Sequence, residues 1–290
     1  MSSRPVLRAS GWPLAGLVSV VARDSLLVRR GLPALVLAPL LLWAAGQEVV
    51  PTYVVAVGLC ATVGSAELYR LLLGAGHGPA WLLGLGLTLA LAVLPGTAPL
   101  LAPHLLAVVT AVALVWTAFR PEREHGLLDW ALTLAPALYV GGLLGYYLLL
   151  RGLPGGGFWV QCVLACTWAA DMAAFAVGRR WGRTRLAPAL SPSKSVEGAV
   201  AGLAAAMLLG ALLALTFPGP GRSVTLLVGL GALVAIAGLV GDLAESFIKR
   251  QLGAKDSSGL LLGHGGLLDR LDSLLGAGMV AYLYLVAFSG

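Results

Sequence analysis

The sequence GDLAESFIKRQLGAKDSSGLLLGHGGLLDRLDS, residues 241–273, holds the densest group of polar residues in a chain that is otherwise mostly apolar. Two acidic pairs lie at its ends, Asp242 with Glu245 and Asp269 with Asp272, and each pair continues into a long apolar run. A basic, glycine-rich segment lies between them. Carboxylates at the ends of membrane helices, beside cations and flexible glycines, indicate a site for a metal ion and a phosphate at a membrane surface.

The composition of the whole chain places this segment in a membrane protein. Of the 290 residues, 59% are hydrophobic and only 11% are charged, whereas a soluble domain has about 25% charged residues. The apolar residues come in runs of about 17–25, the length at which a helix crosses a bilayer. The segments of alternating polarity that are typical of membrane β-barrels do not occur. We therefore predict an all-α polytopic membrane protein, in which the net charge of +6 reflects loop arginines near lipid headgroups and not nucleic-acid binding.

Apolar segments long enough to be transmembrane helices lie at nine places: 31–46, 51–73, 79–95, 98–118, 127–150, 157–178, 196–217, 223–245 and 267–288. With nine spans, all of the 19 lysines and arginines except Arg151 and Arg222 fall on the same side of the membrane as the N-terminus. Because cytoplasmic loops carry the excess of basic residues, we expect about nine helices and a cytoplasmic N-terminus.

The polar residues divide the chain unevenly. Residues 1–30 mix tryptophan and leucine with arginine, which predicts a cytoplasmic or interfacial segment, with a disordered basic tail as the alternative. Residues 31–150 are mostly apolar and are expected to form the N-terminal transmembrane helices. Chemistry-bearing residues concentrate in 151–290, which we predict to be the catalytic transmembrane region.

Two polar groups precede the segment 241–273. Asp171 lies inside an apolar run, where a carboxylate is costly and is a functional candidate by default, although a structural pair with an arginine is the alternative. Residues 191–198, SPSKSVEG, combine hydroxyls and Lys194 with a predicted helix N-terminus. Such a set can bind phosphate, or it can be an ordinary basic loop. Ser195 is a candidate cap of that helix, although the spacing of a capping box is not met.

The spacing within residues 241–273 indicates how the site would work. Residues three apart share a helix face, so each acidic pair can present two carboxylates to a divalent ion. The three cations Lys249, Arg250 and Lys255 can neutralise phosphate charge. The sequence GHGG at 263–266 lets backbone amides approach a phosphate and leaves His264 able to donate a hydrogen bond.

These residues resemble the C-terminal motif of the phosphatidate cytidylyltransferases, also called CDP-diacylglycerol synthases. That motif runs Ser, two residues, Lys-Arg, four residues, Lys-Asp, seven residues, His-Gly-Gly, two residues, Asp-Arg, one residue, Asp. Every position is matched in this chain: Ser246, Lys249, Arg250, Lys255, Asp256, His264, Gly265, Gly266, Asp269, Arg270 and Asp272. The resemblance covers residues 157–288. The N-terminal half is similar to the family only in hydropathy and in an acidic residue, Glu67.

Three departures from the family pattern leave its carboxylates and lysines in place. Ser195 replaces the usual threonine and keeps the hydroxyl. Phe175 stands where tyrosine is common, and Leu262 stands where proline is common, before His264.

The resemblance implies a reaction and a setting. The expected reaction is CTP + phosphatidate → CDP-diacylglycerol + pyrophosphate, dependent on Mg²⁺, as one ion or two, with a monovalent cation left open. The expected protein is a multi-pass enzyme of the inner (plasma) membrane, a homodimer, with its site open to the cytoplasm and no nucleic-acid partner. In the family, the residues at the positions of Asp242 and Asp269 anchor the metal.

We assign further roles from residue type. The predicted catalytic residues are Asp242, Asp269, Lys249, Lys255 and His264. The predicted substrate-binding residues are Asp171, Ser193, Lys194, Arg250, Gly265, Gly266 and Arg270. The predicted metal ligands are Asp242 and Asp269, with Asp272, Glu245 and Asp256 as further candidates.

Two other functions fit parts of the sequence. A CTP-dependent kinase of polyprenols or isoprenoid alcohols would transfer the γ-phosphate and release CDP, but the complete motif spacing favours a cytidylyltransferase. A cation transporter could use Asp171, Asp242 and Asp269 as ion ligands. The lack of internal repeats and the basic residues beside the acids weigh against a transporter.

Overall fold

The computed structural model describes residues 50–119, 126–258 and 265–288. These residues form helices α1 Val50–Gly74, α2 Trp81–Thr97, α3 Leu101–Ala118, α4 Gly126–Gly152, α5 Gly156–Trp181, α6 Val196–Thr216, α7 Val224–Gln251 and α8 Leu268–Phe288. Between α5 and α6 lies an antiparallel hairpin of strands β1 Arg185–Ala187 and β2 Ser191–Ser195. Within α4, residues Ala137–Gly142 form a π-helix.

The prediction of an all-α polytopic membrane protein is confirmed. Seven of the described helices are long and apolar enough to cross a membrane, and the eighth, α2, is apolar but shorter. Helices suit this environment because they satisfy every backbone polar group internally. Eight of the predicted spans coincide with described helices, apart from their ends. The span predicted at 31–46 and the segment 1–30 lie outside the described residues, so the count of nine and the orientation of the N-terminus stay predictions.

The end of α7 differs from the sequence-based prediction. We predicted that this span ends at residue 245, where polar residues begin, but the helix continues to Gln251. Its polar end is supported by an ion pair between Lys249 and Glu245, one turn apart, with 2.9 Å between Nζ and Oε1. Gly253 has a φ of 68°, and the amides of Gly253 and Ala254 donate to the carbonyls of Arg250 and Lys249. This left-handed glycine arrangement is a common helix end.

Small residues allow the four C-terminal helices to pack closely. Helix α6 buries a row of small residues at every fourth position: Gly198, Gly202, Ala206, Gly210 and Ala214. A methyl group on Gly202 would lie 2.8 Å from the carbonyl oxygen of Ala170 in α5. Helix α7 packs against α6 and also against α5 and α8. Close backbone approach of this kind is usual between membrane helices, and it brings polar residues of α5, α7 and α8 to one place.

The N-terminal helices pack onto this group through α1 and α4. The Tyr147 hydroxyl of α4 donates to the Leu274 carbonyl of α8 at 3.0 Å, and both residues are buried. The π-helix packs tightly against α2, where a methyl group on Gly141 would collide with the backbone of Thr88. The N-terminal helices therefore form one side of the region that holds the polar residues. The proposed boundary between them and the catalytic region, at residue 150, stays a prediction.

Candidate functional site

Four carboxylates from three helices form what we call the acidic cluster: Asp171 of α5, Asp242 and Glu245 of α7, and Asp272 of α8. Asp242 is close enough to Asp171 and Asp272 to interact with both electrostatically, and Asp272 interacts in the same way with Glu245. Asp171 also lies beside Ser273. Like charges at such separations repel one another, so cations are needed to stabilise the cluster.

Lys194 provides one of these cations. Its Nζ lies 2.6 Å from Oδ2 of Asp242, and the two side chains are 18% and 31% exposed. Successive residues of a strand point to opposite faces, and in β2 Lys194 is followed by Ser195, which is buried. The strand thus directs Lys194 toward α7. A strand was not predicted at this position from the sequence, and in the structure strand β2 orients the lysine.

Ser195 fixes the position of that strand. Its hydroxyl accepts a hydrogen bond from the Gly198 amide at 3.1 Å and caps α6, which confirms the predicted cap. The hydroxyl lies in a niche between α5 and α6, where a methyl group on Gly182 would come within 2.7 Å of it. Capping by serine is worth about 1 kcal/mol. Because Ser195 is fixed in this way, the backbone of the neighbouring Lys194 is held in place at the site.

Lys249 provides a second cation and joins two acidic residues. Its Nζ lies 2.9 Å from Oε1 of Glu245 and 2.5 Å from Oδ1 of Asp269, so it links α7 to α8. The Glu245 side chain is 1% exposed and those of Lys249 and Asp269 are 12% exposed. A buried charge that loses its partner is strongly destabilising. Lys249 therefore holds the ends of the two helices together as well as balancing charge.

The second oxygen of Asp269 organises the start of α8. Oδ2 accepts hydrogen bonds from the amides of Ser257 and Gly266, at 2.9 and 2.7 Å, and from the Ser257 hydroxyl at 3.0 Å. Gly265, with a φ of 76°, is so close that a methyl group there would collide with Oδ2. Both oxygens of Asp269 are thus used within the chain, and Gly266 directs its amide to Asp269.

Glu67 of α1 is a site residue that the sequence analysis noted but did not assign. Its carboxylate is 2% exposed and accepts four hydrogen bonds, from the hydroxyls of Ser257 and Ser258 and from the amides of Leu267 and Leu268, at 2.6–3.0 Å. These donors lie on the two sides of residues 259–264. The sequence showed only that Glu67 is an acidic residue near the end of an apolar span. Its hydrogen-bond partners are too distant in sequence to have been identified.

The remaining predicted site residues lie nearer the solvent. Side chains are exposed at five of them: Ser193, Arg250, Lys255, Asp256 and Arg270. Arg250 donates from Nη1 to the Ala254 carbonyl at 3.3 Å. His264 lies outside the described residues. The structure therefore separates a partly buried, paired group around Lys194 and Lys249 from an outer group of mostly basic side chains, and the assigned roles stay predictions.

The carboxylates can be compared with the needs of Mg²⁺. Among the described residues, no three histidine, cysteine or acidic side chains converge closely enough to hold a metal ion by themselves. Mg²⁺ usually binds through one or two carboxylates together with substrate phosphates and water. The acidic cluster can supply the carboxylates. Oε2 of Glu245 is a buried acceptor that receives no hydrogen bond from the described residues. The hard oxygen donors of the cluster therefore fit Mg²⁺.

Comparison with known proteins identifies the family. The model of the cytidylyltransferase family matches residues 28–288, which is most of the chain. This chain belongs to the cytidylyltransferase family. The motif residues Ser246, Lys249, Asp269 and Asp272 thus lie on α7 and α8, and Glu67 of α1 reaches the start of α8.

Individual cytidylyltransferases are similar to this chain over different lengths. The phosphatidate cytidylyltransferase of Synechocystis sp. is 32% identical over 258 residues, which cover 80% of this chain and 87% of that protein. The phosphatidate cytidylyltransferase of Brucella suis is 44% identical over 142 residues, 49% of this chain and 52% of that protein. That of Bacillus subtilis is 37% identical over 161 residues, 54% of this chain and 58% of that protein. The last two alignments span about half the length of those relatives.

Proposed function

We propose that this chain is a phosphatidate cytidylyltransferase, which converts CTP and phosphatidate into CDP-diacylglycerol and pyrophosphate. The observation that carries the proposal is the paired group at the ends of α7 and α8, where Lys194 and Lys249 are bound to carboxylates at 2.5–2.9 Å within a helical membrane protein of the cytidylyltransferase family. The relatives with the same name support the choice of substrates.

The proposed chemistry is a single displacement. An oxygen of the phosphatidate phosphate attacks the α-phosphorus of CTP, a new P–O–P bond forms, and the bond to the β-phosphate oxygen breaks. Pyrophosphate leaves with the electron pair. Because the nucleophile is already an anion, little base catalysis is required, and the main difficulty is to bring two anions together. Catalysis then depends on positioning and on charge neutralisation.

The basic residues divide this work between them. Lys194 and Lys249 are fixed by their carboxylate partners and keep positive charge beside the reacting phosphates. Arg250, Lys255 and Arg270 have exposed side chains and bind the phosphates of CTP or of the lipid as these arrive. His264, Ser193 and the amide of Gly265 are proposed as hydrogen-bond donors to phosphate, in keeping with the family motif. Gly266 is proposed with them, but its amide donates to Oδ2 of Asp269 and would have to exchange that partner for the phosphate.

Mg²⁺, when bound, would neutralise the charge that develops on the phosphate oxygens. We propose that Asp242 and Asp272 would hold it, with Glu245 and Asp171 beside them. Oδ2 of Asp242 is bound to Lys194, so Asp242 would bind the ion through its other oxygen or exchange that partner. Asp269 is also proposed as a ligand by its place in the motif, but its Oδ1 is bound to Lys249, so it would have to exchange that partner for the ion. Asp256 is exposed and remains a further proposed ligand.

The membrane setting suits a lipid substrate. Acyl chains can remain in the bilayer between the helices while the headgroup phosphate meets CTP at the interface, because the acidic cluster lies toward the ends of α7 and α8. We propose that the site faces the cytoplasm, that the protein lies in the cell (inner) membrane, and that two copies form a homodimer.

A product assay tests the proposed function. The purified protein in detergent is given phosphatidate, Mg²⁺ and CTP labelled at the α- or the γ-phosphate. The expected result is α-label in the lipid and release of labelled pyrophosphate from γ-labelled CTP. Transfer of γ-label to a lipid alcohol with release of CDP would replace the proposal with the kinase. Failure to transfer either label, together with Asp242-dependent cation uptake into vesicles, would replace it with the transporter.

A further inference from the structure

Tyr139 has an unusual environment for a tyrosine of this protein. Its hydroxyl is buried but has no hydrogen-bond partner among the described residues. Two other tyrosines of the same N-terminal helices bury hydroxyls that are paired. Tyr69 donates to the Thr133 carbonyl at 2.6 Å, and Tyr147 donates to the Leu274 carbonyl at 3.0 Å. A buried tyrosine hydroxyl usually finds a partner, so the orphaned hydroxyl of Tyr139 needs a physical explanation.

The position of Tyr139 in α4 brings this hydroxyl within electrostatic range of the acidic cluster. The carboxylates that act on it are those of Glu245, Asp272 and Asp242. Oε2 of Glu245 is likewise buried without a hydrogen bond from the described residues. An unused donor from the N-terminal helices and an unused acceptor from α7 therefore lie in the same region.

The local backbone supports a role in ligand binding. Tyr139 lies in the π-helix Ala137–Gly142, and π-helical turns are rare and occur frequently at functional sites. This turn is fixed against α2, because Gly141 leaves no room for a side chain beside the Thr88 backbone. The tyrosine is thus held on a rigid element, and its approach to the cluster does not depend on a loop.

The chemistry of a phenol also distinguishes Tyr139 from its basic neighbours. Lys194 and Lys249 are already bound to carboxylates, and a phosphate that approaches them competes with those partners. A phenol is a neutral donor that forms no ion pair. It can donate to a phosphate oxygen without first giving up a charged partner, and it does not increase the positive charge of the site.

We propose that Tyr139 belongs to the active site, where its hydroxyl donates a hydrogen bond to a substrate phosphate oxygen bound beside Glu245 and Asp272. This inference rests on the proposed function for the identity of the substrate. The phosphate belongs either to CTP or to the phosphatidate headgroup, and the test separates the two.

The test compares Tyr139→Phe with Tyr147→Phe, a matched control from the same helix. Each variant is purified in detergent, and its Tm is measured without substrate, with Mg²⁺ and CTP, and with phosphatidate. The value of kcat/KM is then measured with each substrate varied in turn. For Tyr139→Phe we expect an unchanged or higher Tm without substrate, since it removes an unpaired hydroxyl. We also expect kcat/KM to fall about 10–100-fold for the substrate whose phosphate accepts the hydrogen bond from Tyr139. This is the range for a hydrogen bond to a charged group.

The increase in Tm caused by that same substrate should be smaller for Tyr139→Phe than for the wild type. For Tyr147→Phe, which loses a paired hydroxyl, we expect a lower Tm without substrate and kcat/KM near that of the wild type. Wild-type kcat/KM for both substrates in Tyr139→Phe, with undiminished stabilisation by both, would overturn the inference and leave the proposed function intact. A wild-type protein that neither transfers CMP nor is stabilised by either substrate would overturn both.

Discussion

Glu67 and Ser257 are 190 positions apart in the chain, and the Ser257 hydroxyl donates to Oε2 of Glu67 at 2.9 Å. The same carboxylate accepts hydrogen bonds from the amides of Leu267 and Leu268 at the start of α8. A side chain of α1 therefore fixes both sides of the segment that contains the central part of the family motif. The N-terminal helices contribute to the geometry of the site as well as to its apolar surroundings.

Replacing Glu67 by glutamine should lower stability. All four hydrogen bonds to Glu67 come from donors, so the amide group of glutamine would oppose at least one of them. An unsatisfied buried donor costs about 1–3 kcal/mol, and a lower Tm in detergent is the measurement. Ser258→Ala, which removes one of the four donors and leaves the hydroxyl of Ser257 in place, is the control and should have a smaller effect. A Tm of Glu67→Gln equal to that of the wild type would contradict this account.

Lys194 and Asp242 should behave as a unit in catalysis. The Nζ atom of Lys194 and the Oδ2 atom of Asp242 are 2.6 Å apart. Removing either side chain therefore leaves the other without its ion-pair partner. We expect Lys194→Ala and Asp242→Ala each to lower kcat about 100-fold or more, a loss of roughly 3 kcal/mol. The double variant should be little worse than the worse single variant, because interacting residues are not additive.

A charge control for that cycle is available in Arg222. This residue lies in the connection between α6 and α7, beyond the end of α7 opposite to Asp242. Its guanidinium lies 3.9 Å from the centre of the Phe158 ring. Arg222→Gln also removes one positive charge and should leave kcat unchanged. Strictly additive losses for Lys194→Ala and Asp242→Ala would show that the pair does not act as a unit.

Asp269 and Asp272 should differ in the property that each controls. Asp269→Asn weakens the ion pair with Lys249 and the hydrogen bonds from Ser257 and Gly266, and hydrogen bonds to charged groups contribute about 1.5–3 kcal/mol. We therefore expect a lower Tm for Asp269→Asn. For Asp272→Asn, we expect the Mg²⁺ concentration for half-maximal activity to rise about 10-fold or more, the effect of losing roughly 1.4 kcal/mol of binding. If Asp269→Asn left the Tm unchanged and raised the Mg²⁺ concentration for half-maximal activity about 10-fold, the metal would be assigned to Asp269.

Ser195→Ala should destabilise the start of α6. Loss of the cap to the Gly198 amide costs about 1 kcal/mol, which corresponds to a fall in Tm of about 2–4 °C for a protein of this size. Ser195→Thr keeps the hydroxyl and is the control, with an expected Tm closer to the wild type. Equal effects of the two substitutions would show that the niche between α5 and α6, and not the hydrogen bond, determines the stability.

Sequence reasoning identified the helices because hydrophobic length is a local property. It placed spans over each described helix, and it gathered Asp242, Glu245, Asp269 and Asp272 into one candidate site. It misplaced the end of α7, since a helix can continue beyond the apolar residues when ion pairs such as Glu245 with Lys249 support it. Hydropathy measures where the bilayer ends and not where the helix ends.

The partners of the polar residues could not be predicted in the same way. Lys194 with Asp242, and Glu67 with the start of α8, join residues distant in sequence, and many partners would have fitted the pattern equally well. The π-helix around Tyr139 was not predicted from the sequence ALYVGG, and its close packing against the Thr88 backbone of α2 involves a residue distant in sequence. The tertiary contacts, and not the motif, determine these features.

The four hydrogen bonds to Glu67 also constrain the order in which the protein can assemble. A ribosome adds about 5–20 residues per second, so Ser257, 190 residues later, is made roughly 10–40 s after Glu67. During that interval the carboxylate must be satisfied by water or lipid headgroups, since burial without partners is costly. The hydrogen bonds from Leu267 and Leu268 can form only after the start of α8 has been made. This junction between α1 and α8 is therefore among the late steps of assembly.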